Sequence, residues 1–154
     1  MLSNLKERLK DVSPERIVFV GVGNRMRGDD GIGPAIIDEI KEKVPNAIDT
    51  GFVPENFTSR IKRFQPLVIV LIDAVSFQST PGSARILEIS DVEERRVSAH
   101  NFSLDIVMNY LKEETGADVF MIGVQPKRIT DEEELSSEAT EAVKLIAREI
   151  LQAI

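Results

Sequence analysis

The 154-residue chain has no cysteine and no tryptophan, a single histidine and a single tyrosine. Without cysteine there can be no disulfide, no thiolate nucleophile and no zinc site built on thiolates. An excess of basic residues is missing too: 26 aspartates and glutamates face 19 lysines and arginines, a formal net charge of -7. No cluster of basic residues offsets that charge, so phosphate backbones are repelled and nucleic acid is not an expected partner. Long apolar runs are also lacking. The longest aliphatic stretch, Leu67-Val68-Ile69-Val70-Leu71-Ile72, falls far short of a bilayer span. The segment Met1 to Arg8 is charged where a signal peptide would be apolar. No membrane insertion and a cytoplasmic location are therefore expected. With no repeat, low-complexity tract or Ser/Gly linker, residues 1–154 read as one domain.

What is present is ordinary for a globular protein: 42% hydrophobic and 29% charged residues. Ser3 to Lys10 reads as a helix that stops before Pro14, and Arg16 to Gly21 as a strand buried on both faces. Ile32, Ile36, Ile40 and Val44 recur every four residues and mark an amphipathic helix, with Pro34 tolerated in its first turn. A short strand at Asn46 to Asp49, a helix at Glu55 to Phe64 and a strongly buried strand at Leu67 to Asp73 follow. Ser76 to Gly82 is turn-like and Ala84 to Ile89 strand-like. That connection is too short for a crossover helix, so the Ala84 strand is expected to run antiparallel. A helix carrying Leu104, Val107, Met108 and Leu111, a strand at Val119 to Val124 and a final helix burying Ala139, Val143, Ile146, Ala147 and Ile150 complete the pattern. Thr130 and Glu133 are spaced as a capping box for that last helix. The alternation predicts an α/β fold: a three-layer α/β/α sandwich around a mixed, mostly parallel five-stranded sheet with one antiparallel strand.

Ligands of open α/β sheets bind beyond the carboxyl ends of the strands, which directs attention to the loops there. The first, Gly21-Val22-Gly23-Asn24-Arg25-Met26-Arg27-Gly28-Asp29-Asp30-Gly31-Ile32-Gly33, fails both nucleotide templates. Met26 stands where a dinucleotide fingerprint needs its third glycine, and Asp29 and Asp30 stand where a P-loop needs Lys and Ser/Thr. Two carboxylates at a helix start repel phosphate. They serve equally well as helix-capping acids or as functional groups. Asp73 closes the most hydrophobic strand, and His100, the lone histidine, sits in a polar loop just before a helix. If the sheet closes as expected, Asp30, Asp73 and His100 can reach one mouth. Two oxygen ligands and an imidazole with open positions suit a divalent transition metal. A Ser/His/Asp triad is disfavoured, because there is no G-x-S-x-G elbow.

Gly21-Val22-Gly23-Asn24 followed by Gly28-Asp29-Asp30-Gly31-Ile32-Gly33-Pro34 resembles the opening motif of the hydrogenase maturation proteases. The resemblance continues in order through Asp49-Thr50-Gly51, Pro54-Glu55-Asn56, Ile72-Asp73-Ala74, Ser98-Ala99-His100 and Ile122-Gly123-Val124-Gln125-Pro126. Its Gly-Asp-Asp-Gly and Gln-Pro variants look most like the branch serving formate-hydrogenlyase-type hydrogenases. The resemblance implies an aspartyl-type endopeptidase that removes the C-terminal extension of a nickel–iron hydrogenase large subunit after nickel insertion. It further implies that Asp30, Asp73 and His100 ligate the metal, that Asp30 or Asp73 acts on the attacking water, and that the nickel arrives on the substrate precursor, with another divalent metal able to substitute. Asn24, Glu55, Asn56 and Gln125, polar residues of strand-end loops, are candidates for holding the substrate tail, with turn and cap chemistry as the alternative role for each.

Two other functions use the same residues. A metal-assisted phosphoester or nucleoside hydrolase requires basic donors at the mouth, for which Arg25 and Arg27 are the candidates. A nickel-binding hydrogenase-assembly adaptor would bind the precursor without cutting it.

Overall fold

The apolar runs seen in the sequence become the interior strands of one sheet. In the computed structural model, which describes residues 1–95 and 103–154, β1 (Ile17–Gly21), β3 (Val68–Ala74) and β5 (Asp118–Val124) lie side by side and parallel. Their side chains alternate between two covered faces, which is why nearly every position is apolar and buried. The short β2 (Ala47–Asp49) adds parallel to the outer edge of β1, and β4 (Ala84–Leu87) adds antiparallel to β5. The strand order is β2-β1-β3-β5-β4. The antiparallel placement of the Ala84 strand is as its short connection requires.

On one face pack α1 (Leu5–Leu9), α2 (Ile32–Ile40) and α6 (Ser137–Ala153), against Ile17, Phe19, Val70, Ile72, Phe120 and Ile122. On the other, α3 (Thr58–Arg63) and α5 (Leu104–Thr115) cover Val18, Val20, Ile69, Leu71 and Met121. Helix α5 ends at Gly116, whose φ of 72° is the left-handed conformation that closes a helix.

Local details depart from the sequence reading in four places. Helix α2 stops at Ile40, where Lys43 N–H bonds back to the Ile40 carbonyl (2.8 Å), and Val44 is buried from the turns that follow. The helix expected from Glu55 begins as a 3-10 turn, Pro54–Phe57, before α3. Strand β4 ends at Leu87, and Ile89 instead opens α4 (Ile89–Arg95), where the Asp91 carboxylate accepts from Glu88 N–H at 2.8 Å. Finally, Ser136 rather than Thr130 caps α6: its hydroxyl accepts from Ala139 N–H at 3.1 Å. Thr130 Oγ1 instead accepts locally, from Glu132 N–H.

Candidate functional site

The chain leaves β1 to build β2 on one side, then returns to build β3 on the other. The order of strands therefore reverses between β1 and β3, the place where an open α/β sheet forms its cleft. Of the two sequence-predicted metal-site aspartates, one follows β1 and the other lies in β3. Asp30 lies in the 3-10 turn Gly28–Gly31 that follows β1, and Asp73 is the penultimate residue of β3; both are buried. Asp73 keeps the parity of Ile69 and Leu71 and so belongs to the face covered by α3 and α5. His100 lies outside the described residues. Among the described residues, no three of His, Cys, Asp and Glu gather as a metal cluster.

Glycine explains how the turn after β1 comes so close to the strand ends. A Cβ on Gly33 would overlap the carbonyl oxygens of Ile72 and Val22, and one on Gly23 would overlap that of Asp30. Gly23 also has a φ of 148°. These two positions let the start of α2 rest directly on the carboxyl ends of β1 and β3. The Asp30 carboxylate is held there by Asn24 N–H (2.8 Å), while the Asn24 side chain accepts from Met26 N–H at 2.9 Å. Asn24 thus shapes the loop that carries Asp30.

The neighbouring carboxylate does something else. Asp29, fully buried, accepts from Ser136 N–H (2.7 Å), the Ser136 hydroxyl (2.7 Å), Lys127 N–H (2.8 Å) and Arg128 N–H (3.3 Å). It ties the turn after β1 to the loop after β5 and to the start of α6. Neither Asp29 nor Asp30 caps α2, whose first turn receives no side-chain cap. The bland expectation of an N-capping acid pair is replaced by one anchor and one mouth carboxylate.

Gln125, just past β5, is also buried, and its amide is engaged by backbone. Oε1 accepts from Phe77 N–H (2.8 Å) and Ser79 N–H (3.3 Å), and Nε2 donates to the Pro126 carbonyl at 3.1 Å. It fixes the segment after β3 beside the mouth. Asn56 is exposed. Glu55 is half-buried, and its Oε2 is buried without a hydrogen-bond partner among the described residues. Asp105 Oδ1, in the first turn of α5, also has no partner among the described residues and was not singled out from the sequence. An acid at a helix start is too common to signal burial.

Arg25, one of the two basic residues near the mouth, is engaged. It forks onto Asp38 (2.7 and 3.0 Å) and reaches Asp49 at 2.9 Å. Asp38 above all, and Asp49 with it, stabilises the guanidinium charge, and Arg25 in turn holds the Asp38 carboxyl below the usual carboxylate range. A phosphate site at this mouth therefore lacks one of its two candidate donors.

Comparison with known proteins identifies this arrangement. A family model described as hydrogenase maturation protease matches residues 34–153. The chain belongs to the hydrogenase maturation protease family. The hydrogenase 3 maturation protease of Escherichia coli K12 is 34% identical over 71% of this chain and 72% of its own length. The crystal structure of a nickel–iron hydrogenase maturation protease, HycI, from Thermococcus kodakarensis KOD1 superimposes with a TM-score of 0.87 at 33% identity, covering 97% of both chains. The solution structure of the endopeptidase HycI from Escherichia coli gives a TM-score of 0.80 at 29% identity, over 88% of this chain and 89% of that one. The protein is accordingly an endopeptidase of this family, with the mixed five-stranded sandwich expected. No helix among the described residues is long and apolar enough to cross a membrane.

Proposed function

We propose that this protein removes the C-terminal extension of a nickel–iron hydrogenase large-subunit precursor after nickel insertion, recognising the substrate-bound nickel through Asp30, Asp73 and His100. The observation that carries this reading is the burial of two aspartates at the carboxyl ends of adjacent parallel strands, at the point where strand order reverses. The donor set fits a metal that arrives with its substrate. Two carboxylates and one imidazole, in a chain without cysteine, hold nickel only moderately by themselves, whereas cysteines of the precursor supply the soft ligands. Nickel bound in this way would act as a Lewis acid toward the scissile carbonyl.

The protein's own residues orient and exclude. Asp30 is fixed by Asn24 N–H, so its carboxylate is presented in one orientation. Asp30 or Asp73 accepts the proton of the attacking water, and the departing amine takes up a proton as the peptide bond breaks. Asn24, Glu55 and Asn56 flank the substrate tail, and Gln125 holds the 77–79 segment against which it lies. The formate-hydrogenlyase-type branch and the cytoplasm belong to the same proposal.

The test is the intact mass of a C-terminally extended large subunit, nickel-loaded or nickel-free, after incubation with this protein. A single truncated product from the loaded form alone is expected. His100→Ala, Asp30→Asn and Asp73→Asn should each lower the cleavage rate by at least about 100-fold with an unchanged circular dichroism spectrum. Normal cutting by His100→Ala removes the metal-recognition step. Binding of the loaded form with no change of mass identifies an adaptor instead of a protease.

A further inference from the structure

We propose that Arg85, on the edge strand β4, is a specificity residue that receives one carboxylate side chain of the precursor from the segment flanking the scissile bond. The proposal rests on the protease reading and names what the substrate must present beside Asp73. Strand register fixes the neighbourhood. Asp73 of β3 pairs with Gly123 of β5, and Gly123 pairs with Arg85 of β4, so the three form one row across the carboxyl end of the sheet. Paired positions share a face, and Leu87, two residues on from Arg85, packs with Leu71 and Met121 on the face to which Asp73 belongs. Neighbouring strands lie about 4.8 Å apart, which sets the Cα of Arg85 about 10 Å from that of Asp73. A Cβ on Gly123 would meet Leu87 Cδ1 (2.9 Å) and Val75 Cβ (3.3 Å), so apolar side chains floor the gap between acid and cation.

Arg85 is held in place but not neutralised. Its guanidinium lies 4.4 Å from the centre of the Phe77 ring, and among the described residues no carboxylate pairs with it. Arg25, by contrast, closes its fork on Asp38 and reaches Asp49. The Phe77 ring is itself buried, and its backbone N–H donates to Gln125 Oε1 at 2.8 Å. Gln125 thereby sets the ring, and the ring sets the guanidinium. Stacking on an aromatic face leaves the N–H donors in the guanidinium plane free to meet an acceptor. The side chain is exposed on the outermost strand of the sheet, so a ligand reaches it without displacing protein. A fixed, planar fork selects a carboxylate over a lone carbonyl, because it engages both oxygens at once. A chain of net charge -7 repels an acidic segment elsewhere, so Arg85 also sets where such a segment lands.

The experiment follows cleavage of the nickel-loaded cognate precursor by intact mass, with each aspartate and glutamate flanking the scissile bond changed in turn to its amide. One such change should raise KM about 5- to 20-fold, between the yield of an exposed ion pair and that of a charge-assisted hydrogen bond, with kcat nearly unchanged. Arg85→Met, which keeps the stem, should produce the same rise on the unaltered precursor. The two changes together should cost no more than either alone. Arg85→Lys should recover only part of the loss, because an ammonium cannot fork. Arg85→Glu, matched with a lysine at the same precursor position, should restore the cutting that either reversal alone impairs. Added salt should raise KM for the wild-type protein and much less for Arg85→Met. An unchanged KM with Arg85→Met, silence of every acid-to-amide change, or strictly multiplicative losses overturns the proposal and leaves the protease reading intact. A loaded precursor left uncut by the wild-type protein overturns the protease reading, and this proposal with it.

Discussion

Asp29 and Glu55 are both carboxylates set into the body of the molecule, on opposite sides of the sheet, and their oxygens meet opposite fates. On the α2/α6 side, Asp29 receives four donors from a loop and a helix start more than 90 residues away in sequence. A carboxylate has about four lone-pair positions, and the fold itself brings four donors to Asp29, three on Oδ2 and one on Oδ1. On the α3/α5 side, Glu55 has a buried oxygen that no described residue reaches, in a cleft open to solvent. A satisfied acid holds the structure and binds nothing else; an unsatisfied one costs stability and keeps its capacity to bind. Its neighbour Asp30 is held differently, accepting from Asn24 N–H on the loop that Asn24 itself shapes.

The strongest way to break this comparison is to remove Asp29. Asp29→Ala strands the backbone N–H of Ser136 in a buried setting and that of Lys127 in a partly buried one. A loss of about 3–5 kcal/mol in urea unfolding is expected, with no change of slope. A loss below 1 kcal/mol would mean that water or neighbouring groups take over the anchor, and the division would fail.

Ser136→Ala cuts the same link from the helix side. Its hydroxyl both caps α6 and donates to Asp29, but its backbone N–H bond to Asp29 survives the substitution. The expected loss is about 2 kcal/mol, slightly above an ordinary N-cap. In the double variant the losses should fall short of additive, because both changes break one shared bond. Strict additivity would separate cap from anchor.

How much of this was legible in the sequence depends on the range of the interaction. Strands β1, β3 and β5 were readable because burial on both faces demands unbroken apolar runs, and β4 was readable as antiparallel from the length of its connection. Asp30 and Asp73 were picked out by their place after strands, and the fold brings those strands together. The true cap of α6 was missed: Ser136 is chosen partly by Asp29, 107 residues earlier, whereas Thr130 and Glu133 satisfied a purely local pattern. The start of α4 escaped because Ile86, Leu87 and Ile89 suit a strand as well as a helix. For Gln125 the sequence offered substrate contact or turn chemistry, and only the fold shows that its amide oxygen accepts from the 77–79 segment. Nor can a sequence reveal that one oxygen of Glu55 is left over, since that depends on how α5 packs across from it.

The smallest expected effect is also the one that separates the two kinds of carboxylate most directly. Glu55→Gln removes a charge but retains the shape and the apolar contacts of the side chain. Were Glu55 a structural acid like Asp29, the change would destabilise the fold. With its buried oxygen unmatched among the described residues, relief of the desolvation should instead stabilise it by about 0.5–1 kcal/mol, the residue's partial exposure keeping the gain small. In thermal unfolding this is a rise of roughly 1–4 °C for a chain of this size. A fall of similar size would show that Glu55 is held by partners in solution and would place it with Asp29.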